Sequence, residues 1–318
     1  MASRLEGFAT SRETLHYEVW DTATGNTLGT LDPADYNAVC RCLEAGGIIY
    51  FPESPVMPSP EDREFLLSQR QLEVAYHKNI AYRPMEDRLT GVDKKDADYE
   101  RLYRIMKTYS EKSRQFLDAF LPAYAGSPAD YATYRPIEEQ GRKLRLRARN
   151  DLLHVDSFPT RPIFGDRILR FFTNLNPDRS RVWQTSETFE RLAPRFASRI
   201  RLKPGLEQLP DVRPKPSPMR KLLKRLGIKQ SGGSPYDCWM MDMHNAMKED
   251  EVFQAGCPKS RWAFPPGSAW IVLTDMVSHA VLSGQYALEQ TLIVPFDRMV
   301  TPEKAPLNIL KRLYASSA

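Results

Sequence analysis

The chain has little cysteine: Cys40, Cys42, Cys238 and Cys257 are four thiols among 318 residues, and no two are spaced as C-x-x-C. A disulfide framework and a cysteine zinc site are therefore not expected, and the thiols read as reduced and mainly structural. Long apolar runs are missing too. No stretch approaches the ~20 residues needed to span a bilayer, and the N-terminus has no apolar signal-peptide core, so residence in the cytoplasm is the expectation. No internal repeat at solenoid periods and no long low-complexity tract is found. Aromatic and basic residues are not interleaved as in a strand-tracking groove and no nucleic-acid module is recognisable, which disfavours nucleic acid as a partner. With 42% apolar residues and a net charge of +5, the chain has enough to bury the core of one elaborated domain.

Only five histidines are present, and two of them stand where strands are expected. His154-Val155-Asp156 follows the run 143–149, in which Leu and Arg alternate with period two, and precedes the β-rich run 167–174. His279 lies in 277–284, between the strand-like runs 267–274 and 286–295. In extended backbone, residues i and i+2 point the same way, so His154 and Asp156 share a face. With His279 from a distant strand they make two imidazoles and one carboxylate, the ligand set of a non-haem Fe(II) oxygenase. The same residues are also compatible with half-buried histidines hydrogen-bonded in a β-sandwich, with Asp156 capping a turn before Pro159. His244 is a rival third ligand, although the Met-rich segment 239–248 reads as a helix packed in the core. His77 reads as pocket wall or surface.

The expected fold is mainly β with buttressing helices, a double-stranded β-helix (jelly roll, cupin-like). Strands two, three, six, seven and eight of that barrel fall at 143–153, 166–175, 267–274, 277–284 and 286–295. A helix over 34–45 leads into a buried strand at 48–52; further helices start at Pro60 and run over 99–121. The chain thus divides into helical and strand support over 1–142, a barrel core over 143–300 with an insertion at about 183–235, and an amphipathic tail over 301–318. Within the insertion, Met219, Leu222, Leu223 and Leu226 would form one apolar stripe flanked by Arg220, Lys221, Lys224, Arg225 and Lys229. Such a helix suits an anionic membrane surface, each basic residue adding ~1 kcal/mol. It equally suits packing on the domain with a solvated basic face. The tail, with Leu307, Leu310, Leu313 and Tyr314 on one face, is compatible with lipid, with docking on the domain, or with a second subunit in an oligomer.

Three segments together resemble a known family: Leu153 to Pro162, Arg167 to Pro177, and Ser278 to Thr291. They are similar to the Kdo 3-hydroxylases, which convert the 3-deoxy-D-manno-oct-2-ulosonic acid (Kdo) of the lipopolysaccharide inner core to its 3-hydroxy form. The likeness runs from about Ile48, with little contributed before Asp32 or between Arg191 and Ser234. It implies an Fe(II)- and 2-oxoglutarate-dependent dioxygenase consuming O2 and yielding succinate and CO2. It also implies Kdo-containing lipid A as substrate and peripheral association with the cytoplasmic face of the inner membrane. By motif match, His154, Asp156 and His279 would be the iron ligands.

One departure from the broader dioxygenase pattern bears on the co-substrate. Many such enzymes carry an Arg about ten residues past the distal His, with a Ser two residues later, to hold the far carboxylate of 2-oxoglutarate. Here Glu289 and Thr291 occupy that stretch. The cation must then come from another strand: Arg170 is the first choice, because it shares a strand face with Phe172 and Asn174 and a guanidinium binds a carboxylate bidentately. Arg147 and Arg149 are second choices, with Thr291 and Asn174 as neutral donors. For the anionic sugar, Arg161 is best placed, with Lys78, Arg83 and Arg145 behind it. Trp183 is a candidate wall of the mouth or a core residue. Two other readings remain at this point: a dioxygenase acting on a small metabolite or protein side chain, and a non-catalytic glycan-binding β-sandwich.

Overall fold

The computed structural model describes residues 15–22, 24–29, 31, 35, 37–69, 79–201, 204–209 and 233–315. The first half gives strands β1 (Glu18–Asp21), β2 (Asn26–Gly29), β3 (Ile48–Phe51), β4 (Ile80–Arg83), β5 (Arg88–Thr90) and β6 (Ala129–Arg135). Helices α1 (Ala38–Glu44), α2 (Pro60–Ser68) and α3 (Tyr99–Phe120) fall between them. The second half gives β7 (Arg167–Asn174), β8 (Arg181–Thr188), α4 (Phe189–Ala197), α5 (Pro235–Glu249), α6 (Glu251–Gly256), β9 (Ser260–Phe264), β10 (Ala269–Leu273), β11 (Val277–Ser283), β12 (Ala287–Val294) and α7 (Pro306–Ala315).

Two antiparallel sheets result, a large one in the order β2-β1-β3-β10-β7-β12-β6-β4-β5 and a small one in the order β11-β8-β9. This is a double-stranded β-helix, with consecutive strands β7 and β8, and β10, β11 and β12, crossing from one sheet to the other. Period-two alternation sorts the side chains of the large sheet. Phe171 packs outward with Phe116 of α3, whereas Phe172 points inward and stacks on Trp270 with ring centroids 5.0 Å apart. The long helix α3 covers the outer face because Leu102, Ile105, Met106, Tyr109, Phe116 and Phe120 recur every three or four residues and are all buried. Between the sheets, Trp20, Tyr50, Trp183, Trp262, Phe264 and Trp270 form an aromatic cluster, each burial worth roughly 1.5–3 kcal/mol. The cavity described below opens where this cluster stops.

Two expectations need correction, and one left open is decided. The alternating run over 143–153 is not a strand: it holds one 3-10 turn at Leu146–Ala148, and Leu146 is 45% exposed. Among the described residues no strand forms a ladder with 143–149, and β11 reaches the run only through the 2.7 Å bond from Val281 N to Asn150 O, so alternation there creates no buried face. Conversely, β8 lies largely inside the expected insertion, and it pairs with both β11 and β9, so the excursion begins only after Thr188. The basic segment 219–229, His77 and Lys78 lie outside the described residues. The C-terminal helix α7 turns its apolar face inward. Leu307, Ile309 and Leu310 are buried, and Tyr314 accepts a 2.9 Å hydrogen bond from Trp239 of α5, so that face is covered by the domain rather than presented to lipid. Among the described residues no helix is long and apolar enough to cross a membrane.

Beside the barrel's metal-facing loop, Arg167 and Asp275 form a fully buried bidentate pair at 2.7 and 3.2 Å. Breaking such a pair leaves an uncompensated charge in the interior. Asp275→Asn is expected to lower unfolding stability by about 3–5 kcal/mol, measured as a drop in the urea midpoint. A loss below ~1 kcal/mol would show that the pair contributes no more than a surface ion pair does.

Candidate active site

Backbone pairing brings the two histidines together. His154 N donates to His279 O at 3.1 Å and His279 N donates to His154 O at 2.9 Å, an isolated antiparallel bridge joining the loop before β7 to strand β11. Residues so paired project their side chains to the same side, and the two rings stand 4.7 Å apart. Two residues on, Asp156 N donates to Thr274 O at 2.9 Å, which holds the extended geometry, so Val155 enters the core while His154 and Asp156 face the cavity. The predicted sharing of a face by His154 and Asp156 is realised, although through one bridge rather than a strand.

Both rings have the tautomer a metal requires. The Nδ1 of His154 lies 2.7 Å from Leu152 O and that of His279 lies 3.1 Å from Val277 O. A carbonyl only accepts, so each Nδ1 carries the proton and each Nε2 keeps its lone pair. Burial, with the neighbouring imidazole and Lys248, pushes His154 well below the usual histidine range, and burial lowers His279 as well. Burial works against the Asp156 carboxylate, but Arg170 and the two imidazoles outweigh it and hold Asp156 well below the usual range. Arg170 Nε binds one carboxylate oxygen, Oδ2, at 2.9 Å, leaving Oδ1 beside His154 Nε2 at 3.7 Å. The three ligand atoms lie within 4.8 Å of one another. Ligands ~2.1 Å from a shared ion stand about 3 Å apart when adjacent, so small side-chain adjustments close this set on one ion. Two neutral imidazoles and a carboxylate fit ferrous iron.

Trp183 of β8 stacks flat on His279, with centroids 5.2 Å apart and planes at 17°, which fixes the ring from behind. His244 meets His154 edge-on at 4.9 Å, and its Nδ1 lies 2.8 Å from Val155 O. It stands beside the ligand group, not in it. Gln254 of α6 completes the support of the loop, accepting from Leu153 N at 3.0 Å and donating to Leu153 O at 2.9 Å.

The cavity in front of the ligands has a volume of about 220 Å³ and is rich in cations: Arg135, Arg147, Arg170, Arg181 and Lys248. Register explains the arginines. Arg170 lies opposite Thr291 and Phe172 opposite Glu289, while Arg135 lies opposite Ala287. Glu289 is therefore diagonal to both guanidiniums on the inner face. It accepts two hydrogen bonds from Arg135, at 2.9 and 2.7 Å, and a third from Arg170. Burial opposes its ionisation, but these two arginines prevail and keep Glu289 charged. The carboxylate that breaks the usual dioxygenase pattern is thus an internal counter-ion of the two guanidiniums. Arg181 is almost fully buried. It donates to Gly284 O at 3.0 Å and lies 3.7 Å from Glu139, and its Nε has no hydrogen-bond partner. Burial pushes Arg181 down to about 10. Gly284, at φ +130°, allows this approach: a Cβ there would meet Arg181 Cγ at 2.6 Å.

Other expected residues stand elsewhere. Asn174 spends its amide on Arg179 O at 3.0 Å and Phe264 O at 2.9 Å, closing the turn into β8, so it is not a co-substrate donor. Arg149 pairs with Asp151 at 2.6 Å away from the cavity lining, and Arg147 is a rim residue paired with Glu249 at 2.5 Å. Thr291 donates to Glu289 at 3.3 Å. Arg145 is exposed. Arg161 and Arg83 meet around Tyr131, with guanidinium carbons 4.0 and 4.8 Å from the ring centre. Arg161 also packs on Phe158 at 4.0 Å, which separates it from Arg170. Sequence reasoning missed Arg135, Arg181 and Lys248. An arginine at the end of a strand-like run was the available signal for the first two.

Set against known proteins, residues 29–317 match the family model of 3-deoxy-D-manno-oct-2-ulosonic acid (Kdo) hydroxylases. The chain is similar to the Kdo hydroxylase KdoO, described as a non-heme Fe(II) alphaketoglutarate-dependent dioxygenase. Its complex with alphaketoglutarate and Fe(III) is 33% identical, with 91% of this chain and 95% of that chain covered and a TM-score of 0.72. The complex with succinate and Fe(III) gives 33% identity, 90% and 92% coverage, and 0.72. The apo structure gives 33%, 91% and 95%, and 0.72. No curated protein matches the chain.

Proposed function

The chain belongs to the Kdo hydroxylase family, and on that premise we propose that it uses Fe(II), 2-oxoglutarate and O2 to hydroxylate Kdo-containing lipid A at C3 of the sugar, releasing succinate and CO2. The observation that carries this reading is the convergence of His154, Asp156 and His279 on a cavity whose walls are cationic. Bound there, ferrous iron with 2-oxoglutarate and O2 would supply the oxidising power that exchanges a C–H bond for C–OH. The chain's own residues hold, orient and exclude water.

His154 and His279 would hold the iron through Nε2 and Asp156 through Oδ1, three protein donors that would leave it open to co-substrate and oxygen. The far carboxylate of 2-oxoglutarate is assigned to the inner arginines: Arg170, as the sequence suggested, together with Arg135 and Arg181. Of these, Arg181 presents a buried Nε that no protein acceptor satisfies, and a buried donor without a partner costs about 1–3 kcal/mol. An incoming carboxylate relieves that cost. Glu289 keeps Arg135 and Arg170 in place before the co-substrate arrives. Arg161 and Arg83, outside the metal cavity and separated from it by Phe158, are assigned to anionic groups of the lipid-linked saccharide beyond the reacting sugar. We place the enzyme at the cytoplasmic face of the inner membrane, where the basic segment 219–229 would meet anionic lipid.

Mass spectrometry of Kdo-containing lipid A incubated with protein, Fe(II), 2-oxoglutarate and O2 is expected to show a gain of one oxygen, matched mole for mole by succinate. Succinate formation unaffected by the lipid, with no mass gain, would overturn the substrate assignment.

A further inference from the structure

Lys248 is a buried cation left without an ion pair. It is 4% exposed, and its Nζ donates to Arg147 O at 3.1 Å. Among the described residues, every other cation that lines the cavity has a carboxylate beside it: Glu289 and Glu139 for Arg135, Asp156 and Glu289 for Arg170, Glu139 for Arg181 and Glu249 for Arg147. Lys248 feels Asp156 and Asp151 only at longer range, and burial pushes it down to about 8. An ammonium taken out of water without an anion is costly, so such a position is kept where an anion arrives from outside.

Its placement says which anion. Lys248 lies one helical turn after His244 on α5, and both side chains reach the cavity. The helix is fixed at its start by a capping box in which Ser234 and Asp237 exchange hydrogen bonds. It is fixed along its length by the bonds from His244 to Val155 O and from Lys248 to Arg147 O. The cavity's cations come from two sides of the fold, Arg135, Arg170 and Arg181 from strands β6, β7 and β8, and Lys248 from α5 with Arg147, already paired with Glu249, beside it. Two anions must enter, the co-substrate and the sugar acid. In a 3-deoxy-2-ulosonic acid the carboxylate is on C2, adjacent to C3. The carboxylate carbon is two bonds from the reacting carbon, so the cation that holds it must stand inside the metal cavity. Arg161 and Arg83 do not line that cavity, and they already pair with Asp130 and Glu86.

We propose that Lys248 binds the carboxylate of the Kdo unit being hydroxylated and thereby sets which C–H bond faces the metal, with His244 Nε2 beside it as acceptor for a sugar hydroxyl. This rests on the Kdo hydroxylase reading and assigns within it the residue that recognises the sugar acid. The orientation of the His244 acceptor follows from its Nδ1 proton being committed to Val155 O.

The test uses Lys248→Met, which keeps the aliphatic stem and removes the charge. Anaerobic titration of the Fe(II) protein with 2-oxoglutarate, followed by the visible band of the chelate, reads co-substrate binding and folding together. Steady-state turnover reads the KM for the Kdo lipid, and the same lipid with its reacting Kdo carboxylate converted to the amide serves as a neutral probe. The expected result is a 2-oxoglutarate affinity within about 2-fold of the parent and a Kdo-lipid KM raised about 10- to 100-fold. Succinate should form in excess over hydroxylated product. The amide should cost the parent a similar factor and cost Lys248→Met nothing further. A parallel loss of 2-oxoglutarate affinity would assign Lys248 to the co-substrate, and an unchanged KM or an amide penalty that persists in the variant would also overturn the proposal. Failure of the parent itself to hydroxylate any Kdo lipid while still forming the chelate would instead sink the functional reading.

Discussion

His154→Ala and Asp156→Ala are each expected to lower hydroxylation and Kdo-dependent succinate release to below about a thousandth of the parent rate. The reason is geometric. His154 and His279 are held by reciprocal backbone hydrogen bonds and Asp156 by Arg170, and among the described residues no other side chain joins the converging ligand group to take over a lost ligand. His244 is a neighbouring imidazole, but its ring meets His154 edge-on and its nitrogens are not among the ligand atoms that converge. The check is the visible band of the anaerobic Fe(II)–2-oxoglutarate complex. It should vanish in both variants and survive in His244→Ala. Retention of full turnover in either ligand variant would refute the site.

The second large effect concerns the co-substrate. Arg170→Ala is expected to raise the 2-oxoglutarate requirement about 10- to 100-fold while changing the Kdo-lipid KM much less. Arg170 binds Asp156 through Nε and Glu289 through Nη1, so its loss strips Asp156 of its cation and leaves Glu289 with Arg135 alone. Part of the effect should therefore appear as weaker Fe(II) retention, measured separately by metal titration. If the sugar KM rises and the co-substrate requirement stays flat, Arg170 belongs to the substrate pocket.

The barrel and the metal face were legible because both rest on local periodicity. The runs at 167–174, 267–274, 277–284 and 286–295 became β7, β10, β11 and β12 almost residue for residue. The 99–121 helix followed from its apolar spacing. What periodicity cannot report is whether a partner strand lies alongside. The run over 143–149 alternates as cleanly as β7 yet has none, while β8, with Arg181 at its head, was absorbed into an expected insertion although two strands flank it. The inner charge cluster was illegible for a related reason. That Arg135, Arg170 and Glu289 meet depends on the register of β12 against both β6 and β7, which joins residues more than a hundred positions apart. The sequence reading recognised Glu289 as hostile to a co-substrate carboxylate, but only the register shows why it is tolerated. Lys248 was hidden differently: in a Met-rich helix that does pack in the core, one face lines the cavity.

The reciprocal bonds between His154 and His279 tie the ligand loop to β11 by main chain alone. The imidazoles are consequently preorganised without the ion. Iron would need only small side-chain adjustments of a group already gathered within 4.8 Å, so its removal by a chelator is expected to cost the protein the stability that binding adds while leaving the barrel folded and able to take the ion back.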